Sequence, residues 1–163
     1  MNNTNTITIF TDGSSRGNPG RGGWGAIVVS GNEVRELGGK EDHTTNNRME
    51  LVGAIESLKN ADSNLPITLY SDSQYVIKGM TEWIAGWQKK NWINSQKKPV
   101  MNRDLWESLL EVSLNKKIEW KYIKGHAENP GNNRCDEIAT SFADGEPTKL
   151  YEGSLDSYPH KVV

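Results

Sequence analysis

The chain has 163 residues, of which 34% are hydrophobic and 25% charged, proportions that suit one globular domain with a real core and exclude a disordered or two-domain chain. No run approaches the roughly eighteen apolar residues of a membrane-spanning helix, and Met1 to Thr6 has neither the charged nor the apolar part of a secretion signal, so a cytoplasmic protein is expected, with no membrane partner. The formal charge of −2 hides an asymmetry: between Trp83 and Arg103 lie Lys89, Lys90, Lys97, Lys98 and Arg103 with no acid, which leaves −7 on the remainder and points to one local patch for a polyanion.

In chain order, Ile7-Thr8-Ile9-Phe10 is β-branched and aromatic and runs into Thr11-Asp12, so it reads as a central strand carrying a carboxylate at its C-terminal end. Asp12 to Gly20 is dense in turn-forming residues and predicts a loop. Gly23 to Ser30 and Glu33 to Gly38 flank Gly31-Asn32, a two-residue hairpin signal, which makes three antiparallel strands. Gly20, Gly22 and Gly25 satisfy G-x-G-x-x-G, but a strand follows them, so the helix N-terminus of a dinucleotide site is missing.

Leu51, Ala54, Ile55 and Leu58 then recur at helical spacing, with Thr45 and Asn46 placed to cap and Glu50 in the first turns. Pro66 opens the strand Ile67 to Ser71, which closes on Asp72, and Ser71 to Gln74 has the S-x-x-Q form of a capping box for the next helix. Trp83, Ile84 and Trp87 continue a helical face, and Asn91 to Val100 is polar, basic and loop-like. Asn102 is placed to cap a helix bearing Leu105, Trp106, Leu109 and Leu110.

Ile118 to Tyr122 alternates as a fifth strand, and Lys124 to Gly131 is a loop containing His126. The last helix aligns Cys135, Ile138, Ala139, Phe142 and Ala143, with Asp136 at the border of that face. Cys135 is the only cysteine, which excludes an intramolecular disulfide. The expected class is α/β (α+β), a five-stranded mixed sheet with helices packed on it over residues 1–144, followed by a loosely packed or disordered tail over 145–163.

Asp12, Glu50, Asp72 and Asp136 come from four elements. If they converge, each pair repels by about 3 kcal/mol at roughly 5 Å and an effective dielectric near 20, and a cation has to occupy the point of convergence. Hard oxygen ligands without a Cys/His set select magnesium or manganese over zinc. Two such ions about 4 Å apart clamp the attacking and leaving oxygens of an in-line phosphoryl transfer, the chemistry of a nuclease or phosphatase. Any one of the twenty-one acids taken singly is more simply a cap or a solvated charge. Asp12 and Asp72 stand apart because each ends an apolar strand, where open α/β sheets place their sites, whereas periodicity alone leaves Glu50 and Asp136 as ordinary helix acids.

Ile9-Phe10-Thr11-Asp12-Gly13-Ser14, Thr45-Asn46-Asn47-Arg48-Met49-Glu50-Leu51, Ser71-Asp72-Ser73-Gln74-Tyr75-Val76, Ile123-Lys124-Gly125-His126-Ala127 and Asn133-Arg134-Cys135-Asp136-Glu137, in this order, resemble bacterial type 1 ribonuclease H over about residues 6 to 144. The resemblance implies hydrolysis of the RNA strand of an RNA–DNA hybrid to 5′-phosphate and 3′-hydroxyl ends by a monomer. It also implies Asp12, Glu50, Asp72 and Asp136 as ligands of two Mg2+ ions, for which Mn2+ can substitute, and His126 in proton transfer or product release. Asn18, Asn46, Gln74 and Glu50 are implied to sense the 2′-hydroxyl, and Thr45 and Asn46, with Asn47 beside them, to hold a DNA phosphate at a helix N-terminus. The basic segment matches the family's substrate-binding protrusion, with Lys89, Lys90, Lys97 and Lys98 for phosphates and Trp83, Trp87 and Trp92 as anchors or sugar contacts. An integrase-like core acting on DNA and a catalytically silent nucleic-acid binding module remain as alternatives.

Overall fold

The computed structural model describes residues 6–61, 64–124 and 129–162. β1 (Ile7–Gly17), β2 (Gly20–Ser30) and β3 (Glu33–Thr44) form an antiparallel meander. α1 (Asn46–Lys59) then carries the chain to β4 (Ile67–Ser71), which pairs parallel with β1 from Ile7↔Ile67 to Thr11↔Ser71. α2 (Gln74–Lys78), a π-helical turn (Gly79–Trp83) and α3 (Ile84–Lys89) follow without a break. An irregular arm leads to α4 (Arg103–Ser113), then to β5 (Ile118–Tyr122), parallel to β4, and to α5 (Pro130–Ala143). The chain ends in β6 (Glu152–Ser154) and a short 3-10 turn, Leu155–Ser157. The sheet order is β5-β4-β1-β2-β3-β6.

β1 is central and covered on both faces, as a strand with parallel and antiparallel neighbours must be when helices lie on each side. Ile7 and Ile9 point into one core with Leu51 and Leu58 of α1, Leu69 of β4, and Trp106 and Leu109 of α4. Phe10 points the other way, into a core with Ile27, Val34, Cys135 of α5, Tyr158 and Val162.

Five expectations are corrected. The turn-rich stretch after Asp12 is strand, because β2 pairs with it without a slip as far as Gly17↔Gly20. Its glycines serve close approach rather than turning: a Cβ on Gly13 would collide with the backbone nitrogen of Glu50, so α1 lies against β1 only because no side chain is there. The cap of α2 is Ser73, whose Oγ accepts from the Val76 N–H at 3.2 Å, while Ser71 Oγ accepts from the Ser73 N–H instead. Asn102 precedes α4 in a left-handed conformation (φ 60°) and does not cap with its side chain; it accepts from Arg48 Nη1 and donates to the Tyr75 hydroxyl. Pro130 and Gly131 belong to the first turn of α5, capped by Asn129, rather than to the preceding loop.

The fifth correction concerns the tail, which gives the sheet six strands instead of five. β6 pairs antiparallel with β3 from Glu33↔Ser154 to Arg35↔Glu152, and Tyr158 and Val162 are buried. The reason is a polar knot that periodicity cannot display. The Glu36 side chain, 0% exposed, accepts from Arg134 Nε (2.7 Å) and Nη2 (3.0 Å), from the Tyr151 N–H (2.9 Å) and from the Tyr158 hydroxyl (2.6 Å). Burial alone would push the Glu36 carboxyl up, but the bonds from Arg134, Tyr158 and the Tyr151 N–H outweigh it and hold it below the usual range.

Candidate active site

The site lies where β1 and β4 part. Their parallel pairing ends at Thr11↔Ser71, and the next residue on each strand is Asp12 or Asp72, so two adjacent parallel strands deliver two carboxylates side by side. Glu50 arrives from the second turn of α1, brought in by the close approach at Gly13. Oxygens of Asp12, Glu50 and Asp72 all lie within 4.8 Å of one another.

Asp12 and Glu50 are each 5% exposed, and among the described residues none of the three acids is paired with a Lys or Arg. Asp12 Oδ1 accepts from the Gly13 N–H (2.9 Å), and Asp72 Oδ2 accepts from Asn132 Nδ2 (3.4 Å). Glu50 Oε1 is buried without a hydrogen-bond partner among the described residues. Burial, then repulsion from Asp72 and Asp136, pushes the Asp12 carboxyl up to about 8. Burial, then Asp12 and Asp72, drives Glu50 well above its usual value.

These features fit a divalent cation: several hard oxygens converge and, among the described residues, one buried oxygen lacks a donor and no Lys or Arg balances the like charges. Asp136 is exposed on α5 and lies outside the group of three, at its rim, with its charge still felt at Asp12.

A family model described as RNase H matches residues 4–144. The chain belongs to the ribonuclease H family. A ribonuclease H of Geotalea uraniireducens is 52% identical over 133 residues, covering 82% of this chain and 90% of that protein. One from Cyanothece sp. is 48% identical over 151 residues, covering 91% and 96%. Among solved structures, LC9-RNase H1, a type 1 RNase H with the type 2 active-site motif, superposes with a TM-score of 0.81 at 25% identity over 94% of this chain and 80% of that one. LC11-RNase H1, solved with an RNA/DNA hybrid, shares the fold with a TM-score of 0.66 at 22% identity over 85% and 97%.

Several of the remaining candidate residues line two clefts. One, of about 400 Å³, is lined by Asn18, Thr45, Asn46, Asn47, Tyr75 and Met101 at the N-terminus of α1. Thr45 Oγ1 accepts from the Arg48 N–H as the cap, and Asn18 Oδ1 accepts from the Asn46 N–H at 3.0 Å, so the amide oxygen of Asn18 shapes this cleft from within the protein. Gln74 is exposed at the start of α2, two residues beyond Asp72.

The second cleft, of about 470 Å³, lies on the arm between Trp83, Trp87, Lys90, Ile93 and Asn94. Lys89, Lys90, Lys97 and Lys98 are exposed, Trp83 and Trp87 half-buried, and Trp92 buried. Trp87 packs tilted against Trp83 (ring centroids 5.8 Å) and Trp92 (6.2 Å) and edge-on to Trp106 (5.4 Å). Of the three tryptophans named from the sequence, Trp92 is the buried one. Arg103, which the sequence shows only as one charge of the basic stretch, lies 5.2 Å over the Trp92 ring. Asn132 was missed, because nothing in its spacing ties it to Asp72. His126 lies outside the described residues.

Proposed function

We propose that this ribonuclease H cleaves the RNA strand of an RNA–DNA hybrid to 5′-phosphate and 3′-hydroxyl ends, acting as a cytoplasmic monomer. Asp12, Glu50 and Asp72, with Asp136 at the rim, hold two Mg2+ ions or Mn2+ in their place. The observation that carries this reading is the group of three mutually repelling carboxylates, two of them buried, with no Lys or Arg paired to them among the described residues. Bound Mg2+ supplies activation of the attacking water and neutralisation of the departing oxygen.

The protein's own residues do the rest. Backbone contact at Gly13 keeps Asp12 and Glu50 together, and burial keeps bulk water from screening the cluster. The cleft at the start of α1 offers a helix N-terminus to a backbone phosphate of the DNA strand, and Asn46 and Gln74, near the carboxylates, face the 2′-hydroxyls of the RNA strand. The exposed lysines of the arm meet phosphates further along, beside the tryptophan cluster. His126 is assigned proton transfer or product release on its motif alone. A hybrid-bound neighbour of the same fold supports the substrate class.

The test is cleavage of an end-labelled hybrid, duplex RNA and duplex DNA, with Mg2+ and with chelator. Cleavage confined to the RNA strand of the hybrid and abolished by chelator is expected. Cleavage of duplex DNA would favour an integrase-like core, and none on any substrate a silent binding module.

A further inference from the structure

The first turn of α5 is pinned to the catalytic corner more tightly than a helix carrying one rim carboxylate requires. Asn129 caps it, its side chain accepting from the Asn132 N–H at 2.8 Å, which fixes the backbone of Asn132. At the next residue back, a Cβ on Gly131 would stand 2.7 Å from the Phe10 ring, so glycine lets the turn sit directly on β1. The result is an asparagine 3% exposed, reaching Asp72 across the end of β4 with Nδ2 at 3.4 Å from Oδ2. Its Oδ1 is buried and has no partner among the described residues.

A buried amide with an unused oxygen costs free energy, about 1–3 kcal/mol for an unsatisfied group, so packing alone is a poor account of it. The partner identifies the purpose. A carboxylate can only accept, so the amide must turn its NH2 toward Asp72 and its oxygen away. A lysine or arginine there would steer Asp72 equally well but would neutralise the charge that a cation has to meet. An asparagine orients the carboxylate and leaves the cluster's charge intact.

We propose that Asn132 is a positioning residue. It holds Asp72 in the orientation that completes the cation site with Asp12 and Glu50, and its free Oδ1 accepts from a water that arrives with the cation. This rests on the carboxylates holding a divalent ion, as proposed above, and its test reads ion binding without substrate, so a failure of the hybrid-cleavage reading would show separately, in the unaltered protein's cleavage assay.

The experiment titrates Mg2+, and separately Mn2+, into the full-length protein and its Asn132→Ala variant by calorimetry, with thermal melts in chelator alongside. Outer partners of ligating carboxylates typically contribute 10–100-fold in metal affinity, and a loss of about that size is expected. Activity of the variant should recover as the ion concentration is raised, with KM for the hybrid unchanged. Unaltered ion affinity together with a lower melting temperature would make Asn132 a packing residue and overturn the proposal.

If the alanine variant does not fold, Asn132→Leu, similar in volume and without a donor, is read the same way. The unmodified protein gives an independent reading by 15N NMR of the side-chain amides. The Asn132 NH2 resonances should move on adding Mg2+ and saturate with the calorimetric affinity; resonances that stay in place would overturn the proposal.

Discussion

The carboxylate corner and the basic arm both concentrate one sign of charge, yet they are built in opposite ways. At the corner two of the three acids are buried, oxygens of all three lie within 4.8 Å of one another, and backbone holds them: the point where β1 and β4 stop pairing and a glycine contact. On the arm the lysines are exposed and independent, and the buried part is apolar, a cluster of tilted indoles under a solvated surface. Charge buried at close range is costly until something neutralises it, whereas charge spread over a surface is screened within about 10 Å at 0.1 M salt. The corner is therefore fit for chemistry that depends on a bound cation, and the arm for affinity that depends on salt.

The sharpest way to break that contrast is Asp12→Asn. It should abolish hybrid cleavage, with kcat down by at least about 10³-fold, since it removes a central ligand, and yet raise the stability of the cation-free protein at pH 8 by at least about 1.4 kcal/mol, the worth of one pKa unit. Single-turnover cleavage and chelator melts check the two halves; a destabilised variant would mean that Asp12 is a structural anion. Next in size, Trp92→Ala should cost about 3 kcal/mol, the usual loss for a buried indole, and weaken hybrid binding while the carboxylates still bind Mn2+. Loss of Mn2+ binding as well would show that arm and corner are not separable.

A smaller effect is expected from replacing Lys89, Lys90, Lys97 and Lys98 together by alanine. The slope of log affinity against log salt should flatten by up to about 0.9 for each lysine that meets a phosphate, with kcat at saturating hybrid little changed. Binding to a cleavage-dead background across a salt series measures it, and an unchanged slope would leave these lysines as a solvated face.

Much of this division was legible in the sequence, and the exceptions have physical causes. Asp12 and Asp72 could be placed because each directly follows an apolar strand run, and that is where the parallel pairing of β1 and β4 stops, although β1 itself continues to Gly17. Glu50 and Asp136 needed the ordered motif blocks, since a helix acid looks the same whether it faces a site or solvent. The strand beyond Asp12 was hidden because its glycines carry the composition of a turn; only the helix pressing on Gly13 explains them. The tail was hidden because three paired residues and a buried Glu36–Arg134–Tyr158 knot leave no periodic trace. Asn132 was hidden because its partner is sixty positions away.

The central claim is that the corner is an unneutralised cluster fit for a divalent ion, and melting temperature against pH with and without Mg2+ tests it most directly. Asp12 titrates near 8 in the folded chain and near 3.9 when unfolded, so between those values the folded state binds the extra proton. Its contribution to stability is complete below about pH 4 and is lost as pH rises toward 8. In chelator the melting temperature should therefore fall from pH 5 to pH 8, Asp12→Asn should remove most of that fall, and excess Mg2+ should reverse it most strongly at the alkaline end. A flat profile in chelator that Mg2+ does not move would contradict the account.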